Sequence, residues 1–118
     1  MEGMFAFSNF NQPIGSWNVI NVTNMRHMFY KAYSFNQFIG EWNVNNVTNM
    51  YCMFAFSNFN QPISNWNVSS VIDMKNMFYD AHNFNQDIST WNISANTNTT
   101  DIFMFCPIKK EYKCKKYR

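Results

Sequence analysis

A tryptophan returns about once every two dozen residues. Trp17, Trp42, Trp66 and Trp91 are 25, 24 and 25 residues apart. The triplet Phe-Asn-Gln keeps the same interval, beginning at Phe10, Phe35, Phe59 and Phe84, and Met-Phe recurs at Met4, Met28, Met53 and Met77. A period of this length constrains the chain severely, because one short unit cannot bury its own apolar face and must lean on the next copy. The spacing therefore predicts four units stacked in a row within one domain of 118 residues. The copies also alternate. The segment from Met4 to Ile14 recurs letter for letter from Met53 to Ile63, so a double unit of 49 residues has been duplicated.

Within one unit, Phe35, Gln37 and Ile39 share parity, which predicts a short strand over residues 36–40. Pro13 and Pro62 stand in the equivalent stretches and limit that strand to two or three residues, since proline cannot donate to a ladder. Gly15, Gly40, Ser64 and Ser89 follow the isoleucine and suit a tight corner. Val47, Met50, Met53 and Phe54 then fall at i, i+3, i+6 and i+7, the stripe of a short helix. Asn46, with Asn21 and Ser70 in flanking copies, would cap it. The expected architecture is an α/β repeat solenoid of ~24–25-residue coils, each a very short parallel strand plus a short helix. Its interior would hold Phe10, Trp17, Phe35, Trp42, Met50, Phe54, Phe59, Trp66, Met74, Phe78, Phe84 and Trp91 in matching rows. The chain begins inside a repeat at Met4-Phe5, so an exposed apolar N-terminal face is expected, with self-association through it.

The string from Phe84 to Ser94, Phe-Asn-Gln-Asp-Ile-Ser-Thr-Trp-Asn-Ile-Ser, together with Val47-Thr-Asn-Met50 and Met53-Phe54, resembles the BspA-type leucine-rich repeat, the DUF285 repeat of mycoplasma surface proteins. The resemblance covers about residues 4–105. It implies a leucine-rich-repeat-like, right-handed coil with a short parallel sheet on one face, and a role as a surface adhesin or interaction protein. The chain itself contains no leucine; Phe, Met, Trp, Ile and Val carry its apolar load.

Residues 1–105 form the expected repeat array and 106–118 a basic C-terminal tail or cap. Formal charge is +2, but the last ten residues contribute +5 and the body −3. Lys109, Lys110, Lys113, Lys115, Lys116 and Arg118 are candidate anion contacts, for nucleic acid or an anionic membrane surface; a solvated, disordered end is the plainer reading. Cys106 and Cys114 flank this segment and could close a loop as a disulfide or remain free thiols. No apolar run reaches the ~18 residues a bilayer crossing needs, and the N-terminus lacks the pattern of a signal peptide.

Asn11, Asn36, Asn60 and Asn85 present a polar row that is either an interaction face or a ladder satisfying itself. His27, Cys52 and Asn76 each stand two residues after an inward methionine and form a second row, whose side-chain set matches that of some cysteine proteases. A variable exposed position is the simpler account of it. Paired acids, a nucleophile with its base, and phosphate loops are missing from the sequence, so no catalytic, cofactor or metal residue is assigned. The expected function is non-enzymatic: a scaffold holding a protein partner, with an adhesin or glycan-binding module, or anion binding through the tail, as the alternatives.

Overall fold

The structure, a computed structural model, describes residues 1–117. Its repeats lie side by side at the expected interval, but the elements inside them are not those expected. Among the described residues there is no α-helix and no β-strand. Two short 3-10 segments, Lys110–Tyr112 and Lys115–Tyr117, are the only helical turns of that kind. Parallel pairing is confined to the isolated bridges Asn24↔Asn49, Asn49↔Asp73 and Asp73↔Asn98. The α/β repeat solenoid, and the strand-per-unit leucine-rich-repeat architecture with it, is therefore corrected: the chain is built almost wholly from turns.

The helix fails for a backbone reason. His27, Cys52, Asn76 and Asp101 have φ of 57°, 55°, 57° and 55°, and Lys31, Phe56, Asp80 and Phe105 have φ of 54°, 58°, 53° and 58°. Two left-handed residues per repeat are incompatible with a right-handed helix, in which an L-residue so placed costs about 1–2 kcal/mol. The segment becomes a ribbon of overlapping turns instead. Met28, Tyr30 and Ala32 donate their amides to the carbonyls of Met25, His27 and Phe29, at 3.2, 3.1 and 3.0 Å. The alternate amides, of Met25, His27, Phe29 and Lys31, donate across to Asn49, Tyr51, Met53 and Ala55 of the next repeat at 2.9–3.0 Å. The same crossing bonds recur from Met50–Phe56 and from Met74–Asp80. The expected caps are absent too. Asn24, Asn49, Asp73 and Asn98 each accept the amide two residues on, a local turn that competes with helix.

The strand fails because side chains take its bonds. The amide of Asn36, which would enter a ladder, donates to Oδ1 of Asn11 at 3.0 Å rather than to a neighbouring carbonyl. The corner after each isoleucine does form. Trp17, Trp42, Trp66 and Trp91 donate their amides to Ile14, Ile39, Ile63 and Ile88, at 3.1, 3.1, 3.1 and 3.0 Å. Gly40 is needed there for space, since a Cβ would stand 2.6 Å from the Pro62 carbonyl oxygen and 2.6 Å from the Phe38 ring.

The core is a set of aromatic columns. Phe29, Phe54 and Phe78 follow one another at 5.6 and 5.5 Å between ring centres, nearly parallel. Phe35, Phe59 and Phe84 run beside them at 6.1 and 6.3 Å. Within a repeat the two columns meet at 4.1–4.4 Å. Each stacked pair adds about 0.5–1.5 kcal/mol to ordinary burial. Trp42, Trp66 and Trp91 are buried, as are Met50 and Met74, and each of the three indoles donates Nε1 to the isoleucine carbonyl of the preceding repeat: Ile14, Ile39 and Ile63, at 3.0, 3.0 and 3.1 Å. Trp17 departs from its expected place in the core. It is 40% exposed and Phe10 is half-buried, since among the described residues no repeat packs against the outer side of the first one.

The basic segment packs onto the last repeat rather than forming a solvated, disordered end. Ile108 and Cys114 join the core. The Lys109 amide donates to Asn85 Oδ1 at 2.9 Å, and the Ile88 amide donates to the Tyr112 carbonyl at 3.0 Å. Tyr117 stands edge-on over Phe103 and donates its hydroxyl hydrogen to Thr99 Oγ1.

Candidate functional site

Three polar rows were candidates for function, and the structure uses each differently. The asparagine row is consumed internally. Oδ1 of Asn11 accepts both the Asn36 amide and Gln37 Nε2, at 3.0 and 3.1 Å. Asn36 does the same for Asn60 and Gln61, at 2.9 and 3.3 Å, and Asn60 for Asn85 and Gln86, at 3.0 and 2.9 Å. Asn85 ends the row on Lys109. The carboxamide oxygens of Asn11, Asn36 and Asn60 are thus bonded to the following repeat, so this ladder holds repeats together.

The row of His27, Cys52 and Asn76 is assembled side by side in the left-handed turns, but its chemistry runs against nucleophilic catalysis. Burial pushes the Cys52 thiol above its ordinary 9.0, with hydrogen bonds from Tyr51 and Asn76 opposing the shift. An activated cysteine needs the opposite displacement. Burial, then the charge of Arg26, holds His27 below its ordinary 6.5, and the Arg26 Nε donates to His27 Nδ1 at 3.3 Å. Asn76 Oδ1 is buried with no hydrogen-bond partner. The His27 ring is wedged edge-on between Tyr30 and Tyr51, 5.1 Å from each.

All three cysteines are free thiols. Cys106 donates to the Phe84 carbonyl and Cys114 to those of Ile88 and Trp91, so the two thiols serve different carbonyls. No group of three or more His, Cys, Asp or Glu side chains able to hold a metal occurs among the described residues. In the tail, Lys109, Lys113 and Lys116 lean over Tyr112, Phe103 and Tyr117 at 5.2, 5.5 and 5.0 Å. Lys110 and Lys115 are exposed, and Arg118 lies outside the described residues.

Sequence reasoning missed a fourth row. Phe7, Tyr30, Phe56, Tyr79 and Phe105 form a continuous ridge on the outer edge of the turn ribbon, with successive ring centres 5.4, 5.8, 5.5 and 5.7 Å apart. Phe7 is 69% and Phe105 68% exposed. Lys31 lies among three of these rings, its Nζ 5.5 Å from Phe7, 5.4 Å from Tyr30 and 5.4 Å from Phe56. The signal was available: Phe7, Phe56 and Phe105 recur at 49 residues, the length of the double unit, and so do Tyr30 and Tyr79.

The two ends of the stack are chemically unlike. Among the described residues, the carbonyls of Glu2, Met4 and Ala6 at the N-terminal end accept no hydrogen bond, and the amides of Asp101, Phe103 and Phe105 at the other end donate none. These rows correspond to the two partners of the crossing bonds inside the stack.

The sequence matches the profile of a family described as Mycoplasma protein of unknown function, DUF285, over residues 1–114. No curated protein and no solved structure matches the chain. The match spans nearly all of its length, turn ribbon, aromatic columns and most of the C-terminal segment included, and the chain belongs to the DUF285 family.

Proposed function

We propose that the chain is a non-enzymatic scaffold that holds a protein partner along the aromatic ridge from Phe7 to Phe105. One observation carries this reading. Phe7 and Phe105 are largely exposed and adopt φ of 59° and 58°. A bulky residue in that conformation costs about 1–2 kcal/mol, and exposure forgoes most of the burial that would offset it. Asparagine or glycine would fit the backbone better. Phenylalanine at both sites therefore serves contact rather than stability. The left-handed φ recurs twice in every repeat, so what sets Phe7 and Phe105 apart is that they combine it with a large exposed ring.

The raised pKa of Cys52 and the closed asparagine ladder support the same reading, since both direct attention away from chemistry and toward contact. The test is affinity capture from native extract, with the intact chain and the double variant Phe7→Asn, Phe105→Asn as paired baits. The reading requires a partner that the first retains and the second loses. Equal retention by both refutes it. The same pair gives a stability measurement: Phe105→Asn is expected to leave the melting temperature unchanged or to raise it by up to about 1 kcal/mol equivalent, through relief of backbone strain.

A further inference from the structure

The double-repeat duplication places two copies of one arrangement on the ridge, and the chain fills only the first. A shift of 49 residues carries Phe7 to Phe56, Tyr30 to Tyr79, Lys31 to Asp80 and Phe56 to Phe105. Ring spacings agree between the two: 5.4 and 5.8 Å for Phe7–Tyr30–Phe56, against 5.5 and 5.7 Å for Phe56–Tyr79–Phe105. The backbone agrees as well, with φ of 54° at Lys31 and 53° at Asp80. In the first copy a lysine ammonium sits against all three rings at 5.4–5.5 Å. In the second copy a carboxylate replaces the lysine. Among the described residues no cation of the chain lies over Tyr79 or Phe105, while Phe56, shared by both clusters, already carries the Lys31 ammonium at 5.4 Å. Beside Asp80 stands His82, whose Nδ1 is 3.1 Å from Oδ1 and whose side chain is 63% exposed.

We infer that the Phe56–Tyr79–Phe105 cluster with Asp80 is a binding site for an alkylammonium of the lysine type. The argument is internal to the molecule. Three rings at closely similar spacing accept an ammonium one double repeat away, and the second cluster differs in orientation mainly at Phe56–Tyr79, tilted at 55° where Phe7–Tyr30 stands at 77°. Aromatic faces attract cations through their quadrupoles, and a carboxylate beside them adds a charge partner that the first cluster does not have. The exchange of lysine for aspartate leaves Tyr79 and Phe105 without a lysine ammonium of the chain and sets a carboxylate, with His82 Nδ1 at 3.1 Å, in the lysine's place. On a protein partner, the matching charge is a lysine side chain reaching into the ridge. The source of the ammonium rests on the scaffold reading above; the site itself does not, and a small-ion titration tests it separately from any partner.

The experiment is an NMR titration of the intact chain with n-butylammonium chloride, following the ring signals of Tyr79 and Phe105. Sodium chloride at equal ionic strength and n-butanol are the controls for charge and for the apolar tail. The expected result is a saturable shift with n-butylammonium alone, at Tyr79 and Phe105 and not at Tyr30 or Phe7. Asp80→Asn keeps the side-chain shape and should weaken binding severalfold. Asp80→Lys should abolish it by supplying the missing ammonium from within. Lys31→Asp should open the first cluster, adding a second set of saturable shifts at Phe7 and Tyr30. Core ring signals from Phe29 and Phe54 report that each variant is folded. No saturable shift in the intact chain, an equal response to n-butanol, or undiminished binding by Asp80→Lys would each overturn the proposal.

Discussion

Replacing Trp66 with phenylalanine separates the two contributions of the indole row. Trp66 is 3% exposed, stacks on Trp91 at 6.3 Å and on Phe54 at 6.2 Å, and donates Nε1 to the Ile39 carbonyl at 3.0 Å. That carbonyl also accepts the Trp42 amide at 3.1 Å, so both of its lone pairs are engaged. Phenylalanine keeps an aromatic ring in the row and deletes the donor. The lost hydrogen bond costs about 0.5–1.5 kcal/mol. The smaller ring leaves a gap in a tightly packed site, costing about 1 kcal/mol more. The expected loss is about 1.5–2.5 kcal/mol, a fall in melting temperature of roughly 5–15 °C for a chain of this size. The molecule contains its own control. Trp17 occupies the same position in the first repeat but is 40% exposed and has no preceding isoleucine carbonyl to bond. Trp17→Phe should stay within about 0.5 kcal/mol. Differential scanning calorimetry on the two variants measures both shifts, and agreement between calorimetric and van't Hoff enthalpies checks that the repeats melt together. Equal shifts for Trp17→Phe and Trp66→Phe would refute the claim that bonding between repeats, rather than the residue type, gives the row its stability.

Asn36→Ala removes the acceptor for the Asn60 amide and for Gln61 Nε2; urea denaturation should show a loss of about 1–2 kcal/mol, and a smaller change would mean water replaces the ladder readily. Burial lifts the Cys106 thiol from its ordinary 9.0 to about 11. Its protonated form is favoured in the folded state, so this contribution is full below pH 9 and is lost as pH rises through about 11. Urea midpoints of the intact chain should therefore fall more steeply over that window than those of Cys106→Ala, and parallel curves would contradict the burial. Self-association is expected for the isolated chain, head to tail, because the unbonded amides of Asp101, Phe103 and Phe105 match the unbonded carbonyls of Glu2, Met4 and Ala6. Sedimentation velocity over a wide concentration range checks this; a strict monomer throughout, or a closed dimer as the end point, would count against it.

The period could be read from the sequence because stacking makes position i and its counterpart one repeat later neighbours in space. Any residue the interior needs is then repeated at that interval, which is why Phe29, Phe54 and Phe78 were visible as a row before they were seen to touch. The local elements could not be read in the same way. Val47, Met50, Met53 and Phe54 satisfy the stripe of a helix, yet a ribbon of overlapping four-residue turns buries all four equally well. What distinguishes the two is the residue type at the turning positions. Gly3, Asn76 and Asp101, which tolerate positive φ, stand in one row with His27 and Cys52. Three tolerant residues in a row of five were a sign of left-handed backbone, overruled by the apolar stripe. A similar conflict hid the missing strand. Alternation across Phe35, Gln37 and Ile39 is genuine, and Phe35 and Ile39 do point inward, but Asn11 supplies the acceptor that a neighbouring backbone would otherwise offer. Asparagine thus replaces ladder bonds with side-chain bonds while leaving the inward-outward pattern intact. The ridge was hidden by the opposite bias. Rows were sought where apolar residues explain stability, whereas Phe7 and Phe105 stand where a phenylalanine reduces it. In a chain whose repeats constrain nearly every buried position, Phe7 and Phe105 stand apart as bulky residues that hold a left-handed backbone without burial.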